Sequence, residues 1–322
     1  MDKVLGMGNA LVDVMTTISS DEILAALGLP KGSMQLVDAQ LSKLVMEKTT
    51  HLKSVIASGG SAAKAMHGIA KLGIETGFIG KVGKDEMGNL FKTDLEKSNI
   101  KPLLLESTTS SGIAIAFVSP DSERTFATYL GAAVELSASD LNSDMFKGYH
   151  YFHIEGYLVQ NHELIETAVK LAKQQGLKVS LDLAAFNVVE ANLEFLHEII
   201  KNYVDIVFAN EDEAKAFTGS EPYAAIDQIA EICDIAVVKV GKKGSLIKTN
   251  NQLTQVGIID VMSIDTTGAG DLYAAGFLTG LIKGKPIEEC GKMGALLAGK
   301  VIENLGAKIS DANWSFIFTH LK

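Results

Sequence analysis

The sequence predicts an α/β protein: a mostly parallel central sheet with helices on both faces, plus a small β-sheet lid. Two observations carry this expectation. Short apolar strand runs alternate with helix-period segments almost to the end of the chain, the pattern of right-handed βαβ units. Two stretches, 13–38 and 104–131, break that alternation with strand-like pieces that have no helix between them.

In chain order, Val4 to Gly8, Ser54 to Ala57, Gly77 to Gly80, Tyr149 to Ile154, Lys178 to Leu183, Ile206 to Ala209 and Ala236 to Val240 read as buried strands. Helical patterns lie between them: Ala62 to Leu72, Met87 to Ser98, His162 to Gln175 and Ala224 to Cys233. Val14 to Ile18, Ser33 to Val37, Gly112 to Val118 and Thr125 to Tyr129 read as lid strands, the last two joined by a turn at residues 120–123. The expected division is therefore 1–12, 39–103 and 132–322 as the large domain, with 13–38 and 104–131 as the lid. Ligands of such sheets sit at the carboxyl ends of the strands.

Composition narrows the function. The chain has 322 residues, enough for one large core, and 47% of them are hydrophobic. A formal net charge of −10 argues against nucleic acid as a partner, because phosphate backbones attract basic surfaces. No uninterrupted apolar run approaches the roughly 18 residues of a membrane span. The opening residues go straight into a strand pattern without a signal-peptide core, so a cytoplasmic location and no membrane partner are expected. Cys233 and Cys290 match no metal spacing and read as reduced thiols.

Chemistry concentrates in Asp265-Thr266-Thr267-Gly268-Ala269-Gly270-Asp271. A β-rich segment, 252–264, enters this turn, and a long apolar helix pattern leaves it. Glycines without Cβ atoms let main-chain N–H groups approach a ligand, and a helix start adds free amides and a positive dipole end. Asp271 stands beside that anion site. Amides for an anion next to a carboxylate base are the parts phosphoryl transfer requires. Capping alone can also put an Asp in a first helical turn. Other motifs are decoys. Gly6-Met7-Gly8 lacks the third glycine of a dinucleotide fingerprint, no P-loop string exists, and neither His162-Glu163 nor His197-Glu198 has a second histidine at zinc spacing.

The seven-residue string resembles the C-terminal signature of the ribokinase family of carbohydrate and nucleoside kinases, the PfkB family. Ser58-Gly59-Gly60-Ser61-Ala62-Ala63-Lys64, Leu72-Gly73 and the stretch 78–88 resemble its N-terminal signature. Gly8-Asn9 with Asp13 resembles the family's start, and matches continue in family order to about residue 310. Glu123-Arg124-Thr125 and Tyr129-Leu130-Gly131-Ala132 resemble lid strands of the adenosine kinase-like branch.

This resemblance implies a ribokinase-like fold and transfer of the γ-phosphoryl of ATP to a hydroxymethyl group of a sugar or nucleoside. It implies Asp271 as base, with the amides of Gly268, Ala269 and Gly270 as anion hole. Asp13, Asn9, Gly59, Gly60, Lys64 and Glu155 fall at substrate positions. Asn210, Glu213, Lys239, Gly241, Gly244 and Asn304 fall at ATP or phosphate positions. Asn210 and Glu213 would organise Mg²⁺ through water, although an Asn and a Glu at this spacing also make an N-cap. A potassium position is implied at Asp265, Thr267, Val301 and Asn304.

One departure stands out. Lys64 replaces the family's usual Asn; it donates only, and it carries charge. Met34, Leu36, Ile113 and Phe126 on the lid offer apolar cover for a purine base, which favours a nucleoside over a ribose- or fructose-type sugar; ordinary sheet packing would use the same residues. A non-catalytic sugar- or nucleotide-binding regulator of the same fold is the alternative from another class. Either a monomer or a homodimer paired through the lid fits the sequence.

Overall fold

The computed structural model describes residues 2–121, 123–249 and 252–321. Its strands are β1 (Val4–Met7), β2 (Leu11–Thr17), β3 (Met34–Leu36), β4 (Ser54–Ser58), β5 (Thr76–Gly83), β6 (Ile100–Ser107) and β7 (Gly112–Val118). They continue with β8 (Arg124–Tyr129), β9 (Tyr151–Glu155), β10 (Lys178–Asp182), β11 (Ile206–Asn210), β12 (Ile235–Lys239), β13 (Ser245–Thr249) and β14 (Gln252–Val256). Among the described residues they form a nine-stranded sheet, β14-β13-β12-β11-β10-β9-β1-β5-β6, and a five-stranded sheet, β3-β8-β7-β2-β4.

The large sheet is parallel from β12 to β6 and ends in the antiparallel pair β13–β14. Its central strands β1, β9, β10, β11 and β12 are mostly buried and largely apolar because both faces are covered. Side-chain alternation divides them between two cores. Val4, Ile206, Phe208 and Val237 face one cluster with the helices Ser61–Lys71 and Ala269–Ile282. Leu5, Met7, Val207, Ala209, Ala236 and Val238 face the other, with the helix His162–Gln174.

Strand order reverses beside β1: the chain goes on to β5 and β6 on one side and returns through β9 to β12 on the other. A crevice opens at such a switch point, outside the carboxyl ends of the strands. Glycines bring in the helices that border it. A Cβ on Gly6 would stand 2.6 Å from Met66 Cγ, so the helix Ser61–Lys71 lies directly on β1. A Cβ on Gly276 would stand 2.4 Å from the Met293 carbonyl oxygen, where the helices Ala269–Ile282 and Ile287–Val301 cross. Gly276→Ala is expected to destabilise the protein by about 1–3 kcal/mol, the usual cost of overpacking, which a denaturant titration reads directly.

Four expectations are corrected here. The stretch 13–38, expected to hold no helix, contains the short helix Glu22–Ala26 between β2 and β3. Ser54 to Ala57, expected in the parallel core, is β4, which pairs antiparallel with β2 at the edge of the small sheet; Val55 and Ile56 there are exposed. Residues 104–107, expected in the lid, continue β6 of the large sheet. Of the β-rich segment 252–264, strand covers only Gln252–Val256, and residues 257–264 form a loop. Ser122, in the expected turn at 120–123, lies outside the described residues. No helix among the described residues is long and apolar enough to cross a membrane.

Candidate active site

Consecutive parallel strands deliver one polar residue each to a common cleft. Asn9 follows β1, and Glu155, Asp182, Asn210 and Lys239 end β9, β10, β11 and β12. Register places Glu155 beside Asp182 and Asn210 beside Lys239. All five line a cleft of about 1450 Å³ with the small sheet along one side. A single ligand pocket holds roughly 300–1,000 Å³, so this cleft has room for two ligands side by side.

Two helix starts meet on the cleft floor. The helix Ala269–Ile282 begins after Gly268, whose φ of 79° is a left-handed conformation suited to glycine. A Cβ there would also stand 2.7 Å from Ala307 Cβ. The Ala269 N–H closes the turn onto the Thr266 carbonyl at 3.2 Å. Ala269, expected in the anion hole, is therefore occupied by the turn. The N–H groups of Gly268 and Gly270 have no acceptor among the described residues and are free to bind a ligand.

Asp271 is not a cap. Its helix shows no side-chain capping bond at the N-terminus, and Asp271 Oδ1 accepts instead from Ser61 Oγ at 2.6 Å. Burial pushes its carboxyl up to about 6; Lys64 and the Ser61 bond pull it down, Asp182 pushes it up, and Lys239 pulls it down. A carboxylate with its proton affinity lifted toward neutrality is suited to accept a hydroxyl proton.

On the acceptor side, Lys64 Nζ pairs with Asp13 Oδ2 at 3.0 Å. Burial works against the lysine's charge, but Asp13, then Asp271 and Glu155, outweigh it and hold the ammonium protonated. Gly59 does not line the cleft. It makes room for Asp13, since a Cβ would stand 2.0 Å from Asp13 Oδ1. Glu155 is a brace rather than a free ligand: Oε1 accepts from Asn9 N at 2.9 Å and Asn9 Nδ2 at 2.8 Å, and Oε2 from Ala62 N at 3.0 Å. Burial pushes the Glu155 carboxyl up to about 7 against those three donors. Asn9 lines the cleft, and its Oδ1 is buried without a partner among the described residues.

On the phosphate side, Lys239 Nζ bonds Asp182 Oδ2 at 2.9 Å and stands 3.1 Å from where a Cβ on Gly270 would be. The ammonium thus reaches the turn at Gly268–Gly270. Asn210 and Glu213 form a reciprocal capping box: Asn210 N donates to Glu213 Oε2 at 2.8 Å, and Glu213 N to Asn210 Oδ1 at 2.8 Å. Asn210 Nδ2 also donates to Glu213 Oε1 at 2.6 Å. The capping reading is therefore realised, and it fixes the Glu213 carboxyl in the cleft. Burial raises that carboxyl well above its ordinary range, and Asp182 raises it further. Gly241 and Gly244 line the same end of the cleft, Gly244 at a φ of 91°.

Some expected residues lie elsewhere. Thr267 lines the cleft, but Asp265, Val301 and Asn304 do not. Asn304 Nδ2 donates to the Lys300 carbonyl at 2.9 Å, capping the end of the helix Ile287–Val301. Asp265 is buried and bonds Thr267 N, Gly306 N and Arg124. On the small sheet, Met34, Leu36 and Phe126 line the cleft as expected, whereas Ile113 does not. Its neighbours Ala114 and Ala116 hold the cleft face of β7, and alternation turns Ile113 to the opposite face. Ser61 and Arg124 were not singled out from sequence as site residues; a Ser directly after the Gly59-Gly60 pair is the one signal that pointed at Ser61.

Comparisons with known proteins agree with this geometry. Residues 34–314 match the family described as pfkB family carbohydrate kinase. An uncharacterized sugar kinase of Archaeoglobus fulgidus is 31% identical, over 75% of this chain and 96% of that protein. Adenosine kinase 2 of Arabidopsis thaliana is 24% identical over 94% of both. Among solved structures, a probable sugar kinase from Rhizobium etli superimposes with a TM-score of 0.88 at 31% identity, covering 99% of this chain and 98% of that one. The adenosine kinase of Sinorhizobium meliloti gives 0.87 at 33% identity, covering 100% and 99%. The chain belongs to the PfkB family of carbohydrate kinases, has its ribokinase-like α/β fold, and is an ATP-dependent carbohydrate/nucleoside kinase.

Proposed function

We propose that the enzyme transfers the γ-phosphoryl of ATP to a hydroxymethyl group of a nucleoside, with adenosine-like acceptors preferred over ribose- or fructose-type sugars. One observation carries the reaction: Asp271 lies in the first turn of a helix whose Gly268 and Gly270 amides are free, on the floor of a two-ligand cleft. In this reading the acceptor hydroxyl gives its proton to Asp271 while its oxygen attacks the γ-phosphorus in line. The bond to the ADP oxygen breaks as the new P–O bond forms. Gly268 and Gly270 N–H, with Lys239 Nζ beside them, stabilise charge on the transferred group.

Kinases of this family use ATP and Mg²⁺. Asp182 and Glu213 would hold Mg²⁺ at the phosphate end through its bound water, since each of their carboxylate oxygens already accepts one hydrogen bond. Asn210 positions Glu213 in this arrangement. When bound, Mg²⁺ neutralises phosphate charge.

The acceptor is held by Asp13, Lys64, Asn9 and the Gly60 turn, and the small sheet acts as a lid that excludes water. Met34, Leu36 and Phe126 support a purine under the lid, as does likeness to the Sinorhizobium meliloti adenosine kinase across the whole chain. The sugar kinase from Rhizobium etli favours the second reading. A coupled ADP-release assay over nucleosides and free sugars tests the choice. Turnover of adenosine-like nucleosides well above sugars is expected; turnover of sugars alone would reject the nucleoside assignment.

Lys64→Asn is expected to change the acceptor KM by at least about tenfold, because a charged hydrogen bond contributes about 1.5–3 kcal/mol. Identical acceptor profiles for both proteins would show that the ammonium only neutralises Asp13.

A further inference from the structure

The residues implied for potassium do not fit a bound cation in this chain. Asp265 Oδ1 accepts from Thr267 N at 2.7 Å and pairs with Arg124 Nη1 at 2.8 Å, and Oδ2 accepts from Gly306 N at 2.7 Å. The Ile302 carbonyl accepts from both Ile264 N at 2.7 Å and Asp265 N at 3.0 Å. The Val301 carbonyl accepts from Asn304 N at 3.1 Å. N–H donors and the Arg124 guanidinium thus already engage the Asp265 carboxylate and the Val301 and Ile302 carbonyls.

Charge decides the matter further. Asp265 is a single carboxylate whose side chain is 0% exposed, and the Arg124 guanidinium already neutralises it. A second cation would gain no net attraction there and would be repelled by the guanidinium a few ångströms away.

We propose that Arg124 is the built-in counterpart of a monovalent cation: it fixes the Asp265–Gly268 turn in its anion-binding shape and makes turnover independent of potassium. Arg124 begins β8 of the small sheet, while Asp265 opens the turn that leads to Gly268 and Asp271. Arg124 Nη2 also donates to the Ile264 carbonyl at 3.3 Å, so one guanidinium grips two successive residues of the turn. Asp265 passes that hold on, since its other bonds reach Thr267 and Gly306. A potassium ion diffuses in from solvent; this charge arrives on the lid. Seating of the small sheet and shaping of the anion turn thereby become one event. Arg124 acts as a positioning residue, through Asp265, in the phosphoryl transfer proposed above, on which this inference rests.

Turnover and thermal midpoint are measured in potassium chloride and in choline chloride at equal ionic strength. For the wild type, turnover within about twofold and the same midpoint in both salts are expected. A saturable rise of either with potassium overturns the proposal. Arg124→Ala is expected to lose at least about tenfold in turnover in choline chloride, because the anion turn loses its anchor. Potassium or guanidinium should restore part of that loss and raise the variant's midpoint. Arg124→Ala with wild-type turnover in choline chloride overturns the proposal as well. The midpoint of the wild type needs no catalysis, so it scores the cation question even if no acceptor is turned over, and it decides the matter if Arg124→Ala does not fold.

Discussion

Asp271→Asn turns over its acceptor at least about a hundredfold more slowly than the wild type, the usual scale for loss of a general base, yet binds ATP and melts no lower. The substitution keeps the shape of the side chain, and the amide oxygen can still accept from Ser61 Oγ, the one hydrogen bond the carboxylate makes among the described residues. What disappears is the basic oxygen. Stability moves the other way for an electrostatic reason. Burial lifts the Asp271 carboxyl from 3.8 to about 6, so the folded protein binds a proton more tightly than the unfolded chain across that window. Ionisation of this group therefore opposes folding increasingly as pH rises from about 3.8 through about 6, and the opposition is complete above it. An uncharged amide removes that opposition. The same shift sets the acid limb of the wild-type rate: the base of the free enzyme must be ionised, so kcat/KM falls as pH drops through about 6. Thermal melts at pH 7.5, nucleotide binding by calorimetry and a pH–rate profile together check the assignment. Near-normal turnover of Asp271→Asn would remove Asp271 from the mechanism.

The sequence made the large sheet and the cleft floor legible, for a physical reason. Buried parallel strands are apolar on both faces, so their polar ends stand out: Glu155, Asp182, Asn210 and Lys239 each close such a run. Glycine turns mark helix starts at Gly60 and Gly268 because few other residues tolerate those angles. Pairings between distant elements were hidden. Nothing local told β4 that its partner is β2 rather than a core strand, since Ser54-Val55-Ile56-Ala57 is apolar enough for either. The facing of Ile113 was not legible, because a strand between two layers has apolar side chains on both faces. The ion pairs Lys239–Asp182 and Arg124–Asp265 join residues far apart in sequence, and each partner alone looks like a solvated charge. Asn210 and Glu213 show the converse: their capping role and their place in the cleft are both real, and spacing could not choose between them.

Gly60→Ala is expected to cost at least about a hundredfold in kcat/KM for the acceptor, because displacement of a positioning group by about 1 Å has that scale. Gly60 holds φ 87° and ψ 141°, a region that L side chains rarely enter, with a strain of about 1–3 kcal/mol for any other residue. Space is the harder limit. A Cβ would stand 2.2 Å from the Asn9 carbonyl oxygen, which is main chain and cannot swing aside like a side chain. Either the Asn9 segment or the start of the helix Ser61–Lys71 must move. Both routes disturb the same brace, since Glu155 bonds Asn9 on one side and Ala62 on the other. Moving the helix start also shifts Ser61, which orients the base, and Lys64, which pairs with Asp13. The acceptor pocket and the proton acceptor are thus displaced together, while the ATP end, built on β11, β12 and the Gly268 turn, keeps its geometry. The expected signature is a split: acceptor KM rises and kcat falls, with the KM for ATP unchanged within about twofold. A loss of ATP affinity in equal measure would mean that Gly60 supports the whole cleft rather than its acceptor half.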